Sequence, residues 1–240
     1  MSGLDISFEN QVARVTIDRG PKNLLDAEGC ERLTQLLLDP PAGCRIMRLG
    51  AAGPTFCLGR ERVAEEPDDL RAEVRRLIDL NQALVGGALV VVSEVQGDAA
   101  GFGAGLVALS DIAVSAPEAR FWFPEVEIDL AAVVVLTWLP RIVGRRTAFE
   151  LTATGRRLTA QEARELGLVN EVAADSGALG QTVDRVVERL LSLSGRVHLE
   201  IKDYLRATQD LDENRAYEEA LDRLVVGSMG RRRDADDRRE

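Results

Sequence analysis

The chain has 240 residues, a formal net charge of -10 and 45% hydrophobic residues. This length allows one large domain with a substantial core, and the acidic balance argues against nucleic-acid or anionic-membrane binding by simple electrostatics. The longest apolar runs, such as 88–92 and 130–136, are too short to span a bilayer. Because the start also lacks a signal-peptide pattern, we expect a cytoplasmic protein that does not bind membranes.

The first half of the chain alternates between strand and helix patterns. Strands are predicted at 12–17, 45–50 and 88–92, and the last has no alternation, which indicates a strand buried on both faces. Helical spacing covers 27–38 and is ended by two prolines. A second helix begins at Pro67, with acidic residues in its first turn.

The second half is predominantly helical in pattern. A small-residue helix at 103–110 and two strands come first, and a capping box at Thr159 then opens a further helix. The remaining predicted elements are strands at 112–115 and 120–123, helices at 133–143, 179–193, 197–207 and 213–226, and a disordered charged tail at 230–240.

Three cysteines and a single histidine limit the metal and redox chemistry available. Cys30, Cys44 and Cys57 are odd in number and lack metal-ligand spacing, which indicates reduced thiols and no metal site. Cys57 lies in a glycine-containing turn, so a nucleophilic pair with His198 has to be considered. We favour a structural role for the thiol, since the two residues are far apart in sequence.

Two glycine-containing turns, at 54–61 and 96–106, each follow a predicted strand. Glycine allows positive φ and close backbone approach, and a helix start supplies N–H groups without intrahelical partners. Each turn alone fits an ordinary loop. Together, two donor-rich strand ends in one domain favour an oxyanion site for acyl-transfer or enolate chemistry.

Five segments of the chain form an ordered set of motifs, at 55–61, 95–106, 121–125, 139–155 and 160–169. In order and spacing they resemble the crotonase family of enoyl-CoA hydratases and isomerases. The resemblance covers residues 6–172 and implies an α/β fold, a spiral of ββα units over 1–185. It also implies a C-terminal helical region at 186–229 that builds homotrimers or dimers of trimers. The implied substrate is an acyl-CoA or acyl-carrier thioester, and no cofactor is needed beyond the coenzyme A of the substrate.

The resemblance also implies which groups hold the thioester. Its carbonyl oxygen would accept from the backbone N–H groups of Arg60 and Phe102, which stabilise the enolate. Phe102 stands where the family pattern has glycine, and its ring is expected to narrow the pocket. Lys22, Arg60 and Arg62 are the candidate cations for the phosphates. The residues expected to contact coenzyme A or the acyl group are Lys22, Leu24, Leu58, Arg62, Gly101 and Gly103.

The carboxylates distinguish the reactions of the family. Hydratases use two glutamates, of which the first is replaced here by Gly105 and the second matches Glu125. A single buried carboxyl with a raised pKa can move a proton between carbons, which favours double-bond isomerisation. Asp129, where the family has glycine, is a candidate second acid, although a solvated position is the favoured interpretation.

Four alternatives to isomerisation stay open. Hydration is the commonest reaction in the family, whereas decarboxylation and C–C bond chemistry also dispense with the first glutamate. A catalytically idle member would retain the fold for binding alone. Gly105 and Phe102 favour that idle form, and retention of Glu125 favours an enzyme.

Overall fold

The computed structural model describes residues 3–236, and the chain divides into two compact units, Met1–Gly195 and Arg196–Glu240. The strands are β1 (Leu4–Glu9), β2 (Val12–Ile17), β3 (Ile46–Ala51), β4 (Thr55–Cys57), β5 (Val90–Val95), β6 (Asp98–Ala100), β7 (Ile112–Ser115), β8 (Arg120–Trp122), β9 (Leu158–Thr159) and β10 (Glu171–Val172). The helices are α1 (Ala27–Leu38), α2 (Pro67–Gly86), α3 (Phe102–Ala108), α4 (Val133–Leu136), α5 (Leu139–Val143), α6 (Arg145–Thr154), α7 (Ala160–Glu165), α8 (Leu179–Leu191), α9 (Gly195–Thr208) and α10 (Glu213–Asp236). Short 3-10 helices cover Pro124–Ile128 and Ser176–Ala178.

The apolar strand patterns form a six-stranded sheet in the order β1-β2-β3-β5-β7-β10. β1 and β2 pair antiparallel, and the other neighbours are parallel. β5 is the most deeply buried strand, as its unbroken apolar run predicts. The predicted α/β fold is confirmed.

A second, four-stranded sheet has the order β4-β6-β8-β9, with parallel pairing from β4 to β8. Its strands are only two or three residues long, and β4 and β6 lie inside the glycine-containing turns. Gly103 allows α3 to pack here, because a Cβ at that position would overlap the carbonyl oxygen of Cys57. Parallel strands end at the same edge of a sheet, so the segments after β4, β6 and β8 converge.

The helix predicted at 133–143 is divided into α4 and α5. Pro140 has no N–H and its ring clashes with the carbonyl four residues before it, so an unbroken helix cannot pass through this position. Trp138 stands in the break, immediately before α5, and is 9% exposed. The break therefore turns the indole toward the protein interior.

The second unit contains most of α9 and all of α10. Tyr204 donates a hydrogen bond to the Ala216 carbonyl at 2.9 Å, and Arg223 pairs with Asp203 at 2.8 Å. α10 continues to Asp236, beyond its predicted end, so it includes part of the segment predicted to be disordered. Residues 237–240 of that segment lie outside the described range. No helix within residues 3–236 is both long and apolar enough to cross a membrane.

Candidate active site

A cavity of about 470 Å³ opens at the edge where β4, β6 and β8 end. Its walls are formed by one face of α2, the segment after β4, the first turns of α3, and the segment from Pro124 to Trp138. Most of this lining is aliphatic. An acyl chain would pack well against such a surface. The few polar groups in the lining would fix its orientation and determine the chemistry.

Glu125 is placed in this cavity by the 3-10 helix that follows β8. Pro124 fixes the first turn, and the Leu130 N–H donates to the Glu125 carbonyl at 3.0 Å. The carboxylate lies over Gly101, where a Cβ would come within 2.9 Å of Oε1. Gly101, with φ of 51°, is therefore required both by its backbone conformation and by the space that Glu125 occupies.

The Glu125 carboxyl is largely withdrawn from water. Its Oε2 is buried and has no hydrogen-bond partner among residues 3–236. Burial raises the pKa of Glu125 above the ordinary glutamate value, and the positive charge of Arg62 opposes part of that rise. The predicted direction of the shift is confirmed. Such a group is suited to accept and return a proton.

Gly105, where the resemblance expects the first glutamate of a hydratase, lies against an indole ring. A Cβ at Gly105 would lie 3.4 Å from Cζ2 of Trp138, which packs edge-on against Phe123 with ring centroids 6.2 Å apart. No carboxylate projects from this turn of α3. Sequence reasoning did not single out Trp138, although an aromatic residue just before Pro140 in an aliphatic run was the available signal.

Two further carboxylates follow Glu125 closely. Asp129 is exposed, caps the 3-10 helix in the left-handed conformation with φ of 57°, and is not among the residues that line the cavity. That backbone conformation explains why glycine suits this position. Glu127 is exposed as well, but it contributes to the cavity rim. Of these two residues only Glu127 lines the cavity, and its Oε1 lies beside Gly155.

The backbone amides of Arg60 and Phe102 belong to residues that line the cavity, and neither donates a hydrogen bond seen in the described part of the chain. Leu25 forms a parallel bridge to the segment around Arg60: its N–H donates to the Gly59 carbonyl, and its carbonyl accepts from Glu61 N–H. The N–H of Arg60 therefore points away from Leu25. Phe102 begins α3, and its N–H has no intrahelical acceptor. Both residues line the cavity. Their role as oxyanion donors stays a prediction.

The Arg60 side chain is engaged elsewhere. Its guanidinium pairs with the carboxylate of Glu73, a residue of α2 that is 8% exposed. The same carboxylate accepts from the N–H groups of Val63 at 3.3 Å and Ala64 at 3.1 Å. Burial and the neighbouring Arg62 lower the pKa of Arg60. In this structure Glu73 fixes the loop that carries the Arg60 amide, and the predicted phosphate cation is already paired.

The residues predicted to contact coenzyme A divide into two groups. Leu58, Arg62 and Gly101 line the cavity, and Lys22, Leu24 and Gly103 do not. Lys22 is exposed and its carbonyl accepts from Leu58 N–H at 3.0 Å, whereas the Leu24 carbonyl accepts from the Arg19 side chain at 2.6 Å. Gly103 is buried against Cys57. These three positions support the cavity from outside it.

The thiol of Cys57 is not a nucleophile in this structure. It is fully buried and donates to the Gly59 carbonyl at 3.2 Å. Burial raises the pKa of Cys57 to about 11, so the thiolate is scarce at neutral pH. Within residues 3–236, no group of three or more His, Cys, Asp and Glu side chains is arranged to hold a metal ion.

Comparisons with known proteins agree with this geometry. A family model described as enoyl-CoA hydratase/isomerase matches residues 7–233. A mevalonyl-coenzyme A hydratase of Beauveria bassiana is 33% identical over 201 residues, covering 73% of this chain and 70% of that protein. A cyclohexa-1,5-dienecarbonyl-CoA hydratase of Thauera aromatica is 27% identical over 192 residues, covering 78% and 74% respectively. The crystal structure of an enoyl-CoA hydratase from Mycobacterium smegmatis matches with a TM-score of 0.89 and 26% identity, over 95% of this chain and 91% of that one.

The two sheets, the cavity at their strand ends and the helical C-terminal region define an α/β enzyme of the crotonase type. The chain belongs to the enoyl-CoA hydratase/isomerase family. The resemblance drawn from five sequence segments is thereby confirmed. This match establishes the hydratase/isomerase family and not one reaction within it. The relatives named above are hydratases.

Proposed function

We propose that this enzyme moves a double bond within an acyl-CoA thioester, with Glu125 as the single proton shuttle. The Glu125 carboxylate takes a proton from C2 of a 3-enoyl thioester, and the C–H electron pair delocalises into the thioester carbonyl as a dienolate. The resulting carboxylic acid returns the proton to C4, which gives the 2-enoyl isomer. No water is consumed and no redox partner is needed.

The observation that carries this proposal is that a carboxyl is present at Glu125 and absent at Gly105. Glu125 is a cavity carboxyl with a buried, unpartnered oxygen and a raised pKa, which suits repeated protonation and deprotonation. Gly105 carries no carboxyl, and a Cβ at that position would contact the indole of Trp138 at 3.4 Å. The amides of Arg60 and Phe102 would stabilise the negative charge on the thioester oxygen.

Hydration is the second candidate reaction. The relatives named above are hydratases, and Glu127 is among the residues that line the same cavity, with its Oε1 3.3 Å from where a Cβ at Gly155 would stand. If Glu127 held the attacking water, Glu125 would supply or remove the other proton. Decarboxylation, C–C bond chemistry and an acyl-carrier thioester are less favoured, and retention of the Glu125 carboxyl in the cavity argues against an idle binding subunit.

Incubation of 3-enoyl-CoA and 2-enoyl-CoA substrates in water enriched in ¹⁸O separates the reactions. We expect interconversion of the two isomers, exchange of C2 and C4 protons with solvent, and no ¹⁸O in the acyl chain. Rapid incorporation of ¹⁸O at the β-carbon would establish hydration and refute isomerisation. Glu125→Gln is the control, because it keeps the side-chain shape and removes the proton acceptor.

A further inference from the structure

Four charged residues line the cavity, namely Arg60, Arg62, Glu125 and Glu127. The guanidinium of Arg60 is neutralised by the buried carboxylate of Glu73. Arg62 is exposed, and its guanidinium forms no ion pair or hydrogen bond within residues 3–236. In the part of the chain that the structure describes, Arg62 is therefore the cation of the lining that remains available to an anionic ligand.

The backbone places Arg62 beside the proposed oxyanion site. It is two residues after Arg60, so the two Cα atoms are at most about 7 Å apart. Both residues belong to the segment after β4, which forms one wall of the cavity. A ligand whose thioester oxygen meets the Arg60 amide therefore has the Arg62 side chain as a close neighbour.

The charge of Arg62 acts on the reacting end of the cavity. Burial raises the pKa of Glu125, and the guanidinium of Arg62 opposes part of that rise. Burial likewise lowers the pKa of Arg60, and the Arg62 charge adds to that effect. Exposed charges more than about 10 Å apart are largely screened at about 0.1 M salt, so such effects belong to near neighbours.

This location favours the acyl side of the thioester over the phosphates of CoA. In the proposed reaction Glu125 contacts C2 and C4 of the acyl group, and the Arg60 amide contacts the thioester oxygen. The phosphates are separated from that oxygen by the whole pantetheine arm, which contains two amide groups in an extended chain. An anion held by Arg62 while the thioester lies at Arg60 therefore belongs to the acyl group.

We propose that Arg62 binds a carboxylate on the acyl group, so that the preferred substrates are CoA monothioesters of dicarboxylic acids. This inference rests on the proposed function. A guanidinium presents parallel N–H groups that match the two oxygens of a carboxylate and form charge-assisted hydrogen bonds with them. The other charged groups of the lining do not serve this purpose, since Arg60 is paired and the two glutamates repel an anion.

The charge of the whole chain makes a local cation important for such a substrate. The formal net charge is -10, which disfavours the approach of an acyl group that carries its own negative charge. A neutral acyl chain needs only the aliphatic walls of the cavity. Arg62 thus distinguishes charged from neutral acyl groups of the same length.

Calorimetry on the full chain tests this selection with saturated thioesters, which have no double bond to move. It compares glutaryl-CoA and adipyl-CoA with their monomethyl esters, which keep the chain and remove the charge, and with hexanoyl-CoA. We expect the better of the two acids to bind about tenfold tighter than its ester, as for a hydrogen bond between charged groups. Arg62→Gln should remove most of this ratio. Arg62→Lys should retain part of it, because the charge stays while the planar fork is lost.

Arg71→Gln is the matched control, because it removes the same charge from an exposed arginine of α2 that does not line the cavity. It should leave the ratio unchanged. Equal affinity for acids and esters would overturn the inference, as would a ratio that survives Arg62→Gln. If Arg62→Gln weakens all thioesters equally, and thioesters of dephospho-CoA escape this effect, Arg62 binds the 3′-phosphate and the inference is wrong. Failure of hexanoyl-CoA to bind at all would instead overturn the proposed function.

Discussion

The buried ion pair between Arg60 and Glu73 gives a prediction that links stability to catalysis. Glu73 comes from α2 and accepts from two N–H groups of the loop that follows Arg60. In Glu73→Gln the amide oxygen can still accept those bonds. The guanidinium of Arg60, however, loses its counter-charge in a site where its side chain is 17% exposed.

The magnitude follows from this burial. Removing one member of a buried ion pair costs about 3–5 kcal/mol, because the remaining charge is left without compensation. Both side chains retain a little exposure, so we expect the lower end, about 3 kcal/mol. A second ion pair, between Arg76 of α2 and Glu31 of α1, also joins α2 to another segment, but it is exposed. Its loss should cost less than about 1 kcal/mol.

Denaturant unfolding of Glu73→Gln and Glu31→Gln provides the comparison, and steady-state kinetics on the same samples supplies the second readout. Loosening the loop at Arg60 should lower kcat more than it raises KM, because it displaces the amide that we propose as an oxyanion donor in the transition state. Glu31→Gln should leave both constants unchanged. If the two variants lose similar stability, or if Glu73→Gln keeps full kcat, the positioning argument is wrong.

Three other predictions follow from the site and the helices. Glu125→Gln should abolish exchange of the substrate α-protons with deuterium while thioester binding persists. Because the pKa of Glu125 is raised, the native protein loses stability relative to this variant as pH rises through the ordinary glutamate range, which pH-dependent unfolding measures. Gly103→Ala should prevent soluble expression or cost several kcal/mol, as in other overpacked cores, whereas thermal unfolding of Gly105→Ala should show a change within about 1 kcal/mol. Light scattering should give a trimer or a multiple of it, since Val197 and Leu205 lie exposed on one apolar face of α9, and a stable monomer would contradict this.

The sequence predicted well those elements whose bounds are determined by neighbouring residues in the chain. The helix at Ala27–Leu38 has the predicted bounds, because apolar spacing and two following prolines determine both its face and its end. The capping box at Thr159 is present with both of its hydrogen bonds. Three-residue strands such as β4 and β6 have too few residues for a periodic pattern, and glycines next to them indicate a turn equally well.

The candidate site was predictable where it rests on motif order, and less so where it rests on packing. Glu125 and its raised pKa follow from a carboxyl among aromatic and aliphatic neighbours. Glu73 was not predicted, because nothing local indicates that a carboxylate of α2 reaches back to Arg60. Trp138 was missed for the same reason, since its contact with Gly105 joins segments that are far apart in sequence.

The proposed oxyanion donors are main-chain groups, and this makes them insensitive to almost every amino-acid replacement. Only proline lacks the N–H, so one residue type alone would delete a donor at Arg60 or Phe102. Phe102 illustrates the point: it stands where the family pattern has glycine, and it still has a backbone N–H at the start of α3. Side chains around the cavity can therefore be replaced to suit other acyl groups. The two backbone amides that would stabilise the enolate persist through such replacements.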